Sequence, residues 1–233
     1  PLMMANDMGA SETKTSIAAY TLALENSVDI LAYERSDNAP EGSSKGLKVW
    51  KEKSDGTYYD YDNDDPTYNL TNSNKRVVGG VEYDVYTLNF VAAKEMTTNY
   101  YMMSYIQDGD NYTYSKLSRY SILDYCYSKK DSTEVLDGRG LSLSELTQSV
   151  LEYGASAQKY LNYNIDKLAT DTFYKINVVD GNFSDGTTSG LFKSGSKANL
   201  VAYQELSDMP FVKWIDSDDN VVGEVFCERH ACH

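Results

Sequence analysis

Residues 141–164, LSLSELTQSVLEYGASAQKYLNYN, decide how this chain is read. Leu143, Leu146, Val150, Tyr153, Ala157 and Tyr160 recur at three-and-four spacing, which places them on one face of a helix. Ser142 and Glu145 stand at capping-box spacing and satisfy the first free amides of that helix. Gly154-Ala155-Ser156-Ala157 is a run of small side chains inside it. A mid-helix glycine costs about 1 kcal/mol against alanine, and the expected return is close approach of another backbone, a sheet face in the first instance. The stretch reads as a packing device that braces something built of strands.

Working outward, the strands lie on both sides. Upstream, segments near 17–24 and 28–33 are two strands with Asn26-Ser27 as their turn, and Ser36 to Gly46 is a loop by its Pro, Gly and Ser content. Leu47 to Lys51 is a short strand, turned at Ser54-Asp55-Gly56 into a further strand over Thr57 to Tyr61, followed by an acidic loop from Asp62 to Pro66. Val77 to Phe90 holds two strands separated by Gly79-Gly80. Residues 99–106 and 112–120 form a hairpin through Asp108-Gly109-Asp110. Roughly seven or eight short strands at this spacing point to a β-sandwich. Ser121 then caps a short helix running to about Lys130, and the linker around Gly138 leads to the helix of residues 141–164. From Phe173 the alternation returns, punctuated by Gly181, Gly186, Gly190 and Gly195, with Asp216, Asp218 and Asn220 as hairpin-turn residues. The domain reading is a lead-in (1–11), a sandwich with two C-terminal helices (12–165), a small β domain (172–226) and a tail (227–233).

Composition narrows the function. A chain of 233 residues with 41% hydrophobic content supports a packed core. The net charge of −14 argues against nucleic acid and against an anionic membrane surface. No apolar run reaches the length of a membrane-spanning helix, and PLMMANDMGA lacks the basic and apolar regions of a signal peptide. Tyrosine is abundant, at 21 against 6 Phe and 2 Trp, as in secreted β-rich domains facing water. Three cysteines, Cys126, Cys227 and Cys232, do not make a disulfide framework. Cys126 reads as a buried thiol.

Two segments resemble known families. YSILDYCY (Tyr120 to Tyr127) followed by LEYGASAQKYLNYN (Leu151 to Asn164) resembles a module of large surface proteins of gut Firmicutes. In that module a β-sandwich runs into a "YSV-x-x-YC" helix and then a "YGAAAQ"-type helix. GNFSDGTTSGLFKSGSKANLVA with FVKWIDSDDNVV, inside Phe173 to Val222, resembles an extracellular bacterial repeat related to the internalin B-repeat. Lys213 stands where that repeat usually has Gly, Asp219 replaces a turn Gly, and the ending GEVFCERHACH departs from it. The resemblances imply a secreted or cell-surface setting and an Ig-like β-sandwich braced by two helices, followed by a small β-grasp-like repeat. They imply no catalytic residues.

Several constellations imitate chemistry. Ser156-Ala157-Gln158-Lys159, Ser36-Asp37-Asn38 and Lys193-Ser194-Gly195 copy the S-x-x-K, S-D-N and K-T-G set of penicillin-recognising enzymes. Their order is wrong, the serine lies late in a helix, and the pieces fall in two domains. Both histidines, His230 and His233, lie in the last four residues, so imidazole-based catalysis and His-based zinc sites are excluded from the body. Cys227, His230, Cys232 and His233 are too tightly spaced for a standard zinc finger and read as a tail. Asp60, Asp62 and Asp64 invite a calcium reading because carboxylates at alternate positions converge on one ion. The EF-hand pattern fails, with Asp65 and Thr71 in place of its Gly and Glu, and a solvated loop is the alternative. No carboxylate pair stands out for glycoside hydrolysis, which needs a separation of about 5 to 10 Å.

The tyrosines are the remaining ligand candidates: Tyr58, Tyr59 and Tyr61 around the acidic loop, and Tyr101 and Tyr112 on the hairpin. Strand alternation exposes about half of them, and exposed tyrosine is a good contact residue that also stacks on sugars. Trp50 and Trp214 read as core. The sequence expectation is a mainly β, non-enzymatic, extracellular module of a multidomain Gram-positive surface protein, structural or adhesive, without a cofactor unless calcium binds. Its partners would be neighbouring domains and a host or dietary glycan or host glycoprotein. The alternatives are a carbohydrate-binding module of a glycan-degrading protein and a binding domain for mucin or immunoglobulin.

Overall fold

The computed structural model describes residues 12–24, 27–135, 140, 142–203 and 213–224. The lead-in, Asn26, Phe211, and the tail with Cys227, His230, Cys232 and His233 lie outside the described residues. The chain is mainly β, with 42% strand against 15% helix, as expected.

Upstream of the helices run β1 (Lys14–Ala23), β2 (Asp29–Asp37), β3 (Ser44–Lys51), β4 (Tyr68–Leu70), β5 (Asn74–Val78), β6 (Val81–Leu88), β7 (Tyr100–Asp108), β8 (Asn111–Tyr114) and β9 (Ser118–Tyr120). They form two antiparallel sheets. One has the order β1-β2-β6-β5, and the other has β4-β3-β7-β8 with β9 also on β7. β8 and β9 share one edge of β7 because Ser115 interrupts the ladder. Its amide donates to the Ser104 carbonyl at 2.9 Å, and its hydroxyl accepts from the Ser104 amide at 3.0 Å. The hairpins through Gly79-Gly80 and Asp108-Gly109-Asp110 form as the turn residues require, with positive φ at all three glycines.

The core lies between the sheets. Ile30, Ala32, Tyr86 and Leu88 from the first meet Leu47, Val49, Tyr100 and Met102 from the second. Alternate residues along β3 and β7 therefore point away from the core. Two expectations fail here. Thr57 to Tyr61 is not a strand, because Asp60 folds the chain into a turn: its carbonyl accepts from the amides of Asn63 and Asp64. The loop expected over Ser36 to Gly46 is shorter, since β2 reaches Asp37 and β3 begins at Ser44.

Helix α1 (Ile122–Lys129) starts at a capping box between Ser121 and Asp124, and α2 (Leu143–Leu161) at one between Ser142 and Glu145. The stretch thus forms a helix over Leu143–Leu161, but its buried face is only partly the one expected: Leu143 is buried and Leu146, Val150 and Ala157 are half-buried. Leu143, Thr147, Gly154, Ala155 and Gln158 face inward, while Tyr153 and Tyr160 are 62% and 89% exposed. The cause is the neighbour. A Cβ on Gly154 would lie 2.4 Å from Met96 Sδ, so the small-residue run seats a buried side chain beside the turn at Ala93–Glu95. The close approach is to that methionine and not to a sheet backbone.

Gln158, fully buried, then ties α2 to the chain on either side. Its Nε2 donates to Thr97 Oγ1 at 3.1 Å and to the Lys167 carbonyl at 2.9 Å, and its Oε1 accepts from the Ala169 amide at 2.8 Å.

Beyond α2, three short antiparallel pairs are described. β10 (Phe173–Asn177) pairs with β12 (Ser189–Lys193), β11 (Gly181–Phe183) with β13 (Leu200–Ala202), and β14 (Lys213–Ile215) with β15 (Val221–Glu224). Asp216 organises the last turn by accepting from the amides of Asp218 and Asn220, both at 2.9 Å, as the sequence reading required. Trp214 lies over Gly181, where a Cβ would meet its ring at 2.5 Å.

Candidate functional site

The face of β3 and β7 that turns away from the core carries the aromatic residues. Register places Lys48 opposite Met103, Trp50 opposite Tyr101, and Tyr105 opposite both Gly46 and Tyr114. Gly46 is there for Tyr105, whose ring lies across it; a Cβ at 46 would sit 2.4 Å from the ring. One end of this face is open. Tyr112 and Tyr114, 46% and 43% exposed, stack with planes 7° apart, and Lys48 Nζ lies 4.8 Å from the centre of the Tyr114 ring while donating to its hydroxyl at 3.0 Å. The chain's own lysine thus occupies the cation position over this pair.

The other end is covered by the β10–β13 region, and the contact centres on Arg119 of β9. Its Nη1 donates to Asp185 Oδ2 at 2.6 Å, with the two side chains 7% and 2% exposed. The guanidinium lies over Phe183 and Phe192, at 5.0 and 4.7 Å from the ring centres. Gly190 is required beneath it, because a Cβ there would fall 1.5 Å from Nη2. Tyr101 adds a hydroxyl donated to Asp185 at 3.2 Å. Asp185 Oδ1 accepts from the amide and hydroxyl of Thr187 at 2.9 and 2.7 Å.

Above this junction opens a cleft of about 300 Å³. Tyr58, 48% exposed, and Phe192 give it apolar surface, while Glu52, Asn99, Lys167 and Lys193 give it polar groups. Each polar group is already held in place. Glu52 accepts from the Asn99 amide and carboxamide, both at 2.9 Å; Lys167 donates to the Thr97 carbonyl at 3.0 Å; Lys193 pairs with Asp171 at 2.8 Å. The sequence reading found Tyr58 and Tyr101 but missed Arg119, Asp185 and the four polar residues. No local pattern marks a contact between residues 66 positions apart.

The five candidate tyrosines therefore separate. Tyr101 is a buried junction residue. Tyr59 donates to the Lys51 carbonyl at 2.7 Å, and Tyr61 packs edge-on against Trp50 at 5.2 Å. Only Tyr58 and Tyr112 among them present half or nearly half of their surface to solvent.

The acidic loop does not gather its carboxylates. Asp60 accepts from the Asp62 amide at 3.2 Å and from Asn63 Nδ2 at 2.8 Å, and Asp64 accepts from the Asp60 amide at 3.0 Å. The Asn63 hydrogen bond holds Asp60 below the usual carboxylate range. Among the described residues no three acidic, histidine or cysteine side chains group as a metal site requires. Trp50 Nε1 donates to the Asp64 carbonyl at 3.1 Å, which pins the loop to the sheet.

The imitation of a serine enzyme also separates into structural hydrogen bonds. Ser156 donates to the Glu152 carbonyl of its own helix, and Ser36 donates to Glu34. Burial pushes the Cys126 thiol up to about 12. Among the described residues no helix is long and apolar enough to cross a membrane.

No family model, curated protein or solved structure matches this chain.

Proposed function

We propose that this chain is a non-enzymatic extracellular module of a multidomain Gram-positive cell-surface protein, structural and adhesive in role. On this reading the two facing sheets are an Ig-like sandwich and the β10–β15 region is a β-grasp-like repeat. The observation that carries it is the Arg119–Asp185 junction. A buried ion pair clamped by two phenyl rings fixes one part on the other, as a stiff spacer or a rigid presenting surface needs. The sequence resemblances supply the cell-surface setting.

A second reading, a carbohydrate-binding module, draws on the cleft, where an exposed tyrosine stands among fixed polar groups. Sugar sites combine an aromatic face with a few placed hydrogen-bonding groups.

The test is a binding and turnover screen of the purified protein against mucins, plant and bacterial glycans and immunoglobulins, with calcium and with chelator. Saturable binding without turnover supports an adhesive module, with or without a calcium requirement. Silence across the panel leaves the spacer. Turnover of any glycan overturns the proposal.

A further inference from the structure

We infer that the cleft beside the junction binds a single neutral hexopyranose unit, with Tyr58 as its stacking face. This deepens the carbohydrate reading and names its ligand class. It does not bear on the spacer role, which rests on Arg119 and Asp185.

Charge is the first argument. The acidic residues lining the cleft are Glu52, Asp166 and Asp185, and the basic ones are Arg119, Lys167 and Lys193. Three stand against three, but each cation is already matched: Arg119 by Asp185, Lys193 by Asp171 just outside the lining, and Lys167 by Glu52 at 4.0 Å. An anion therefore finds no unpaired positive charge to draw it in, unlike a cleft lined by one sign of charge. A ligand made of hydroxyls, each donor and acceptor at once, suits a lining that alternates the two.

Spare capacity is the second. Each Glu52 oxygen accepts one bond from Asn99, and an ionised carboxylate offers about four acceptor sites. Lys193 uses donors on Asp171 and the Asp166 carbonyl and retains a third. Groups held by one partner and still able to serve another are pre-oriented, which lowers the ordering cost of binding.

Shape is the third. The volume of about 300 Å³ lies at the small end of ligand sites and favours one ring over a chain. Tyr58 is the exposed aromatic there, and its ring suits the C–H face of a pyranose. The other exposed tyrosines of the sheet, Tyr112 and Tyr114, stack on each other under Lys48, which makes them the control site.

The experiment titrates the full chain, by calorimetry and by NMR, with methyl glycosides of glucose, galactose and mannose and with glucuronic and galacturonic acids. The expected result is saturable binding of at least one neutral glycoside. Tyr58→Ala should weaken it about tenfold or more, the size of one lost aromatic contact, while Tyr112→Ala leaves it unchanged. Glu52→Gln should weaken it too, and circular dichroism and melting should show Tyr58→Ala folded as the parent. No binding of any neutral glycoside, preference for the uronic acids, or loss through Tyr112→Ala in place of Tyr58→Ala would each overturn the assignment.

Discussion

Arg119 Nη1 and Asp185 Oδ2 lie 2.6 Å apart, with almost no solvent on either side chain. The two ends of this pair are not equally supported. Asp185 also receives Thr187 and Tyr101, whereas Arg119 Nε and Nη2 have no hydrogen-bond partner among the described residues. Breaking a buried pair from one side costs about 3–5 kcal/mol because a charge is left uncompensated. Asp185→Ala strands the guanidinium and should reach that range in urea unfolding. Arg119→Met leaves a carboxylate with its other donors intact and should cost less. In the double variant Arg119→Met/Asp185→Leu no charge is stranded, so it should be more stable than Asp185→Ala alone. Equal losses in the two single variants would show that the two ends of the pair are equally supported, and a larger loss for Arg119→Met would show that the junction is held by the guanidinium over the phenyl rings.

Gly154 gives a second measurable contact. Leucine there must enter space held by Met96 Sδ, 2.4 Å from an ideal Cβ. Met96 is fully buried, so its side chain has little room to yield. Overpacking of this kind costs about 1–3 kcal/mol, and more when the backbone must move. Gly154→Leu should therefore lower the melting temperature, and adding Met96→Ala should restore part of the loss. An unchanged melting temperature would place the small-residue face in solvent.

Which parts of this arrangement can be read from residue order depends on how local the physics is. The capping boxes at Ser121/Asp124 and Ser142/Glu145 were legible because four consecutive residues contain both partners. The Gly79-Gly80 and Asp108-Gly109-Asp110 turns were legible because only positive φ is needed. The buried side of α2 was not. Periodicity says which residues share a face, and the tyrosines gave the stronger apolar signal, yet Met96 needs the gap at Gly154. Thr57 to Tyr61 shows the same limit, since its tyrosines suit a strand while the carbonyl of Asp60 closes a turn. The cleft was legible only through Tyr58 and Tyr101, because Glu52, Lys167 and Lys193 come together through long-range packing.

Gln158 is the clearest case of a polar group that the core depends on. Removing its carboxamide leaves the Ala169 amide and the Lys167 carbonyl without this partner in a closed environment. Each stranded buried group costs about 1–3 kcal/mol. Gln158→Ala should lose about 2 kcal/mol or more in denaturant unfolding. Gln158→Glu keeps the acceptor for Ala169 but loses the donor to Thr97 and Lys167, and it should recover little. A loss below about 0.5 kcal/mol, the scale of a surface substitution, would show that the hub is not formed.

Cys126 offers a pH signature. Its thiol is 1% exposed, and burial raises its titration point from 9.0 to about 12. Between those two values the unfolded chain has lost the proton and the folded chain still holds it. The unfolded state then binds fewer protons, so this group's contribution makes stability fall as pH rises through the window. Below about pH 9 both states are protonated and the group is neutral in the balance. In a Cys227→Ser/Cys232→Ser background, a thiol reagent at pH 8 should react with Cys126 only as fast as the protein opens, and at once in denaturant. Substituting Cys126→Ala should remove its share of the alkaline slope while costing core packing at every pH. Rapid labelling of the folded protein at pH 8 would place the thiol at the surface and remove both expectations.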